Sequence, residues 1–228
     1  MTRQRLYSHF FGAVLVTVAW LAMSVAAANV PPTLLFQDAQ GAPLAGVILF
    51  QTQAPEGKHS GESDAPTVHV MDQVQRQFVP DLLLVAAGDR VSFPNSDSIR
   101  HHVYSFSSTR TFDFELYGNA EAPSIDFPQA GFVVVGCNIH DNMIGHIVVS
   151  ATGEFFQSDN QGAMDATRLT TLDGWYAWHP WMASAGRQPI AAHDLTFDSV
   201  NVIAVEAPQA RAETDLESRF RRRLQGGR

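Results

Sequence analysis

Apolar residues in this chain fall in short runs broken by turn residues, and several runs alternate with polar positions, the period-two pattern of half-buried strands. From 131 to 149 the chain reads Gly131-Phe-Val-Val-Val-Gly-Cys137-Asn-Ile-His140-Asp-Asn-Met143-Ile-Gly-His146-Ile-Val-Val149, which predicts two Val- and Ile-rich strands joined by a tight loop. From 88 to 106, Gly88-Asp89 predicts a turn, Val91 and Phe93 share one side of a strand, and residues 94–97 form a loop ahead of His101. Thr111-Phe-Asp-Phe-Glu-Leu116 alternates apolar and acidic side chains, as a strand with one wetted face does. Upstream, residues 34–50 predict two strands joined at Asp38-Ala-Gln-Gly41 and Pro43-Leu-Ala-Gly46. Downstream, Phe155-Phe156, a turn at Asp159-Asn-Gln-Gly162, and the segments 169–172 and 175–178 continue in the same style. The expected class is all-β.

Length changes this picture little: 228 residues, 45% of them hydrophobic and 17% charged, suffice for a sizeable core and one large or two small domains. The N-terminus changes it more. Arg3 and Arg5 precede an uncharged stretch up to Ala28, with Ala26 and Ala28 placed as a signal peptidase requires, so residues 1–28 read as a signal peptide and the mature chain as exported to the periplasm. The alternative is an uncleaved anchor, with the rest of the chain facing the periplasm. Cleavage removes two arginines, leaving 13 basic against 23 acidic residues and a formal charge of −10 in place of −8. Such a charge favours a partner with a basic docking face and disfavours nucleic acid.

Cys137 is the one cysteine, so no disulfide forms within the chain, although exported proteins commonly pair their thiols. Its neighbours give it a role. Thiolate, imidazole and thioether fall within seven residues at Cys137, His140 and Met143, and a second imidazole arrives with the loop before His101. Soft sulfur donors with two imidazoles suit copper, and a trigonal Cys-His-His set with a weak axial Met is the blue-copper arrangement. The candidate metal ligands are therefore His101, Cys137, His140 and Met143, holding one copper ion that cycles between Cu+ and Cu2+. Asn95, His102 and Asn138 are candidates for the shell around it. His146 reads as a surface residue. No Gly-rich phosphate loop, paired acid and base, or Ser-His-Asp set is evident in the sequence, so a hydrolase or transferase is not expected.

These segments resemble the cupredoxins, Greek-key β-sandwiches that hold copper between one upstream His loop and a Cys-His-Met loop. The short Cys-x-x-His-x-x-Met spacing resembles amicyanin. Met71-Asp-Gln73, Phe78-Val-Pro80, Phe93-Pro-Asn-Ser-Asp97, His101-His-Val-Tyr-Ser-Phe106 and Gly136-Cys-Asn-Ile-His-Asp141 resemble exported proteins labelled methylamine utilization proteins. In that family a polar and a β-branched residue follow the upstream ligand, which picks out His101 over His102. Three departures stand out. His102 replaces an Asn that ties the two ligand loops together, Ile139 replaces a common Pro, and Gly136 stands where plastocyanin has a Tyr. The last of these makes His140 the expected electron exit.

The resemblance implies an electron carrier without enzymatic activity, working between redox proteins such as a cytochrome c and a dehydrogenase, linked to an amine dehydrogenase or a respiratory chain. A periplasmic copper carrier or sensor, or the copper subunit of an oxidase, is the alternative. The cupredoxin domain is expected over 66–150. Its flanks, 29–65 and 151–208, resemble the halves of a transthyretin-like or carboxypeptidase-regulatory-like β-sandwich into which that domain is inserted. On this reading a 66–150 fragment is soluble and binds copper. Trp175-Tyr-Ala-Trp178-His-Pro-Trp181 reads as strand core, with a docking or carbohydrate-stacking surface as the alternative. The tail 209–228 holds six arginines and three acidic residues and reads as a solvated end. Membrane contact is expected only from this tail or from an uncleaved N-terminal segment.

Overall fold

The computed structural model describes residues 32–54 and 66–207. The expectations for the export segment and the arginine-rich tail lie outside them. In chain order the strands are β1 (Thr33–Gln37), β2 (Ile48–Gln51), β3 (Val68–Val70), β4 (Asp72–Val74), β5 (Gln77–Val79), β6 (Leu82–Ala86), β7 (Arg90–Ser92), β8 (His101–Ser107) and β9 (Arg110–Tyr117). There follow β10 (Ser124–Asp126), β11 (Gly131–Cys137), β12 (Ile144–Ser150), β13 (Phe156–Gln157), β14 (Ala163–Asp165), β15 (Trp175–Trp178), β16 (Ile190–Ala191) and β17 (Val200–Val202). A short α-helix, α1 (Pro180–Ser184), follows β15, and a 3-10 turn of helix covers Ala192–Asp194. Among the described residues no helix is long and apolar enough to cross a membrane.

Two hydrophobic clusters organise these strands. The first lies between the five-stranded sheet β6-β12-β11-β8-β9 and the three-stranded sheet β10-β7-β3, with the β4-β5 hairpin beside them. Strand alternation builds it: Val133, Val135 and Cys137 of β11 point inward while Phe132, Val134 and Gly136 point out. Val91, Phe93, Phe112, Phe127 and Met143 complete this core.

The second cluster is built from the flanks. β1 pairs with β14 and β17, and β2 with β13 and β15, so strands before residue 55 meet strands after residue 150. Leu34, Phe36, Ile48, Phe50, Trp175 and Trp178 fill its centre. Trp175 and Trp178 are buried, and Tyr176 and Trp181 are partly buried against the same cluster, so the tryptophan-rich run is core. This second layer also covers part of the outer face of the five-stranded sheet. Val148 belongs to its core, Leu82, Leu84 and Phe132 pack against it, and Phe132 stacks on Trp178 with ring centroids 5.5 Å apart. All of these residues lie in one compact unit, Pro31–Arg228.

The two Asp-x-Gln-Gly sequences make the same turn. Asp38 Oδ1 accepts the amides of Gln40 and Ala42, each at 2.9 Å, and Asp159 Oδ1 accepts those of Gln161 and Ala163 at 2.8 and 2.9 Å. Gly41 and Gly162 sit at φ of 82° and 73°. The segment 169–172 is not a strand, contrary to its apolar pattern. Asp165 Oδ1 accepts both the amide and the hydroxyl of Thr167, and the Leu169 amide bonds to the Ala166 carbonyl, so the chain turns there while Leu169 and Leu172 still pack on the core.

Candidate metal centre

His101 opens β8, Cys137 ends β11, and His140 and Met143 lie in the loop before β12. The local chain path explains how they gather. Cys137 pairs with Val103 across the β11-β8 ladder, two residues along β8 from His101 and on the same face. The loop is then closed by backbone bonds: the His140 amide to the Cys137 carbonyl at 3.3 Å, the Met143 amide to the His140 carbonyl at 2.9 Å, and the Cys137 amide to the Met143 carbonyl at 3.2 Å. Thiolate, ring and thioether residues are thus folded back on one another within a single turn.

The Cys137 sulfur lies 3.6 Å from His101 Nδ1 and 3.6 Å from His140 Nδ1. The three ligand atoms lie within 4.8 Å of one another, and the two rings are 5.0 Å apart between centroids. Three donors in a plane, each about 2.0–2.3 Å from a common ion as thiolate and imidazole ligands are, stand roughly 3.5–4.0 Å apart. The sulfur-to-nitrogen spacings meet that requirement. Met143 is buried in the same core, and its backbone is tied to Cys137 and His140. With its thioether the donor set suits one type 1 copper ion.

His101 is fully buried, and its second nitrogen, Nε2, is 2.8 Å from Asp97 Oδ2. A carboxylate accepting the proton of Nε2 leaves the Nδ1 lone pair aimed at the sulfur, the arrangement that orients metal-binding histidines. Asp97 is itself held. Its carboxylate accepts the amides of Gln75 and Arg76, at 2.6 and 2.8 Å, and its own amide donates to Asn95 Oδ1 at 3.0 Å. Burial pushes the Asp97 carboxyl up, but these amides and the His101 ring outweigh it, so the group titrates below the usual carboxylate range. For His140 burial leads, helped by the charges of His101 and Arg76, and lowers the ring's pKa, which favours the neutral form that binds metal.

The residues expected around the ligands take different parts. Asn95 is buried and pins the His101 loop, donating from Nδ2 to the Ile99 and Tyr117 carbonyls at 2.9 and 3.1 Å. His102 points to the opposite face of β8 from His101, where its ring meets Asp113, so strand parity decides which of the two adjacent histidines faces the sulfur. The tie between the ligand loops is made by backbone: the Asn138 amide donates to the His102 carbonyl at 3.1 Å. His146 is not a surface residue. It stands on the outer face of β12, half-buried under the second layer, with its ring 5.5 Å from that of Trp178. Asp97 is the residue that reading the sequence for donors passes over. Its signal is a carboxylate four positions before a ligand histidine.

No protein-family model matches the sequence, and no curated protein matches it. Among solved structures, an oxidised mutant of amicyanin is 22% identical over 41% of this chain and 99% of that one, with a TM-score of 0.34. A purple cupredoxin from Nitrosopumilus maritimus is 18% identical over 37% of this chain and 99% of that one, at 0.33. A copper-containing nitrite reductase from Thermus scotoductus is 23% identical over 50% of this chain and 28% of that one, at 0.35. The chain is all-β, and its two facing sheets carry the ligand loop at one end, around a cluster suited to one copper ion.

Proposed function

We propose that this is an exported mononuclear copper protein that carries single electrons between redox partners and catalyses no reaction of its own. The observation that carries this reading is the Cys137 sulfur standing 3.6 Å from two imidazole nitrogens, one of them on a ring fixed by Asp97. Copper, when bound, supplies a reversible one-electron couple. The chain's own contribution is to hold the donors. The sulfur and the His101 ring are buried at strand ends, Met143 is buried beside them, and backbone bonds close the loop, so the ligand set changes little when charge changes. The formal charge of −8 supports a partner that docks through a basic face, such as a cytochrome c or a dehydrogenase.

The same reading takes 66–150 as a domain inserted in a second β-sandwich formed by 29–65 and 151–208. The pairing of β1 and β2 with strands beyond residue 150 supports it. The test of function is a visible spectrum and a voltammogram of the copper-loaded chain beside the Cys137→Ser variant. Intense colour with a reversible one-electron wave, both lost in the variant, is expected. A colourless complex that yields its copper to a weak chelator would instead indicate a copper carrier.

A further inference from the structure

β4 and β5 form a two-stranded ladder of their own beside the two sheets, joined to the segment ahead of His101 by a bridge between Gln73 and Asn95. The position of this hairpin is set from two sides. On the first it grips residues 93–97. The Gln73 amide donates to the Pro94 carbonyl at 3.2 Å, the Ser96 amide returns to the Gln73 carbonyl at 3.1 Å, and the Ser96 hydroxyl donates to Asp72 Oδ2 at 2.7 Å. The Gln73 side chain is fully buried, and its Nε2 donates to the Pro94 carbonyl at 2.9 Å and to the Tyr117 hydroxyl at 2.5 Å. Tyr117 is the residue opposite His101 in the β8-β9 pairing.

The tip of the hairpin completes this grip at a cost in strain. Gln75 and Arg76 sit at φ of 52° and 60°, left-handed backbone that side chains other than glycine's resist. Asp97 holds them there, its carboxylate accepting both tip amides. Two successive amides turned on one anion make a small nest, so the strained tip and the carboxylate fix each other.

On its second side the hairpin is seated against β12. A Cβ on Gly145, two residues beyond Met143, would stand 3.1 Å from both Cβ and Cδ2 of Phe78 and 3.2 Å from Met71 Sδ. Both side chains are buried, so the hairpin lies on bare glycine backbone with no room for anything between.

We infer that the β4-β5 hairpin is a bracket between the two ligand-bearing segments, with Gln73 and Gly145 as its positioning residues. The inference rests on the proposed copper site and names what sets the place of its upstream ligand. Both residues act through others: Gln73 through residues 93–97, Gly145 through Phe78 and Met71. Asp97 aims the His101 ring, and the hairpin decides where Asp97 stands. A displacement at the strand that follows Met143 is therefore carried to His101.

The test uses the full chain, first free of metal. Gly145→Ala pushes Phe78 and Met71 away by a few tenths of an ångström. The far end reports it: the Gln75 and Arg76 amides are expected to exchange with solvent roughly tenfold faster, as weakened bonds to a charged acceptor would, and the His101 ring nitrogens to shift in NMR spectra. Ile144→Ala, one residue nearer Met143 but 45% exposed on the opposite face of β12, should change neither. Gln73→Leu, of similar volume, removes the side-chain grip and is expected to act as Gly145→Ala does, which keeps the test open should the alanine variant not fold. Copper loading gives a second readout, a fall in affinity of about tenfold in both variants, at the lower end for loss of a ligand's outer support. A hairpin that adds only stability would lower the urea midpoint and leave the two amides and the His101 ring as in the parent; that result, or equal effects from Ile144→Ala, would overturn the inference. Should the parent bind no copper, the electron-carrier reading falls, while exchange in the metal-free chain still decides the bracket.

Discussion

A histidine adds to a metal centre only as much as its ring is aimed, and here Asp97 does the aiming. Its carboxylate holds His101 Nε2 at 2.8 Å while the Gln75 and Arg76 amides hold the carboxylate. Asp97→Asn keeps the size but weakens all three bonds, and a loss of about 10–100-fold in copper affinity is expected, read by competition with a chelator of known strength. His179 illustrates a second residue-scale constraint, away from the centre. Its Nε2 lies 3.0 Å from the Ala45 carbonyl and its Nδ1 accepts the Trp181 amide at the start of α1, so the ring is useful only when neutral. Burial, only partly offset by the Ala45 bond, lowers its pKa from 6.5 to about 4, with nearby His146 adding to the shift. Between those values the unfolded chain binds the proton that the folded chain refuses, so stability is fullest above pH 6.5 and falls as pH drops towards 4. His146, also lowered by burial, acts in the same sense. His179→Asn keeps a cap for α1 and is expected to flatten this part of the stability curve in urea titrations at stepped pH. Cys137, His140 and Met143 were legible from residue type and spacing because they crowd into seven residues, whereas the choice of His101 over His102 came from the family resemblance. Asp97 and His146 were not legible, because what they do depends on neighbours across strands.

At the scale of elements, the paired Asp-x-Gln-Gly turns show what a short sequence can carry. An Asp whose side chain accepts two following amides and a glycine at positive φ dictate the turn locally, so both copies could be read as turns and both form it. Gly162 has less freedom than Gly41. A Cβ there would stand 2.3 Å from the Phe36 carbonyl oxygen, whereas at Gly41 the nearest atom is 3.9 Å away. Gly162→Ala is expected to cost well beyond the roughly 1–3 kcal/mol of left-handed backbone strain, and Gly41→Ala only that strain, measured as the difference in urea midpoints. The 169–172 segment failed as a strand for a complementary reason. Its leucines report burial, but Asp165 and Thr167 had already turned the chain, and apolar pattern alone does not distinguish a packed turn from a strand.

For the whole molecule, the outer face of the five-stranded sheet is shared: one part is buried under the second layer and another lines an open groove. Cutting out 66–150 would bare Leu82, Leu84, Phe132 and Val148 together. In contrast to the soluble fragment expected from the sequence, isolated 66–150 is therefore expected to aggregate, and to become soluble when these four are replaced by polar residues, as sedimentation of both forms would show. That β11 and β12 are apolar strands is visible in the sequence, but which outward residues meet a second layer is decided by strands more than 100 residues apart. The central claim is that one copper ion is held by a sulfur and two ring nitrogens. Anomalous diffraction at the copper edge from crystals of the loaded chain tests it most directly. A single site within bonding distance of Cys137 Sγ, His101 Nδ1 and His140 Nδ1 is expected; copper bound elsewhere, or touching the histidines but not the sulfur, would contradict it.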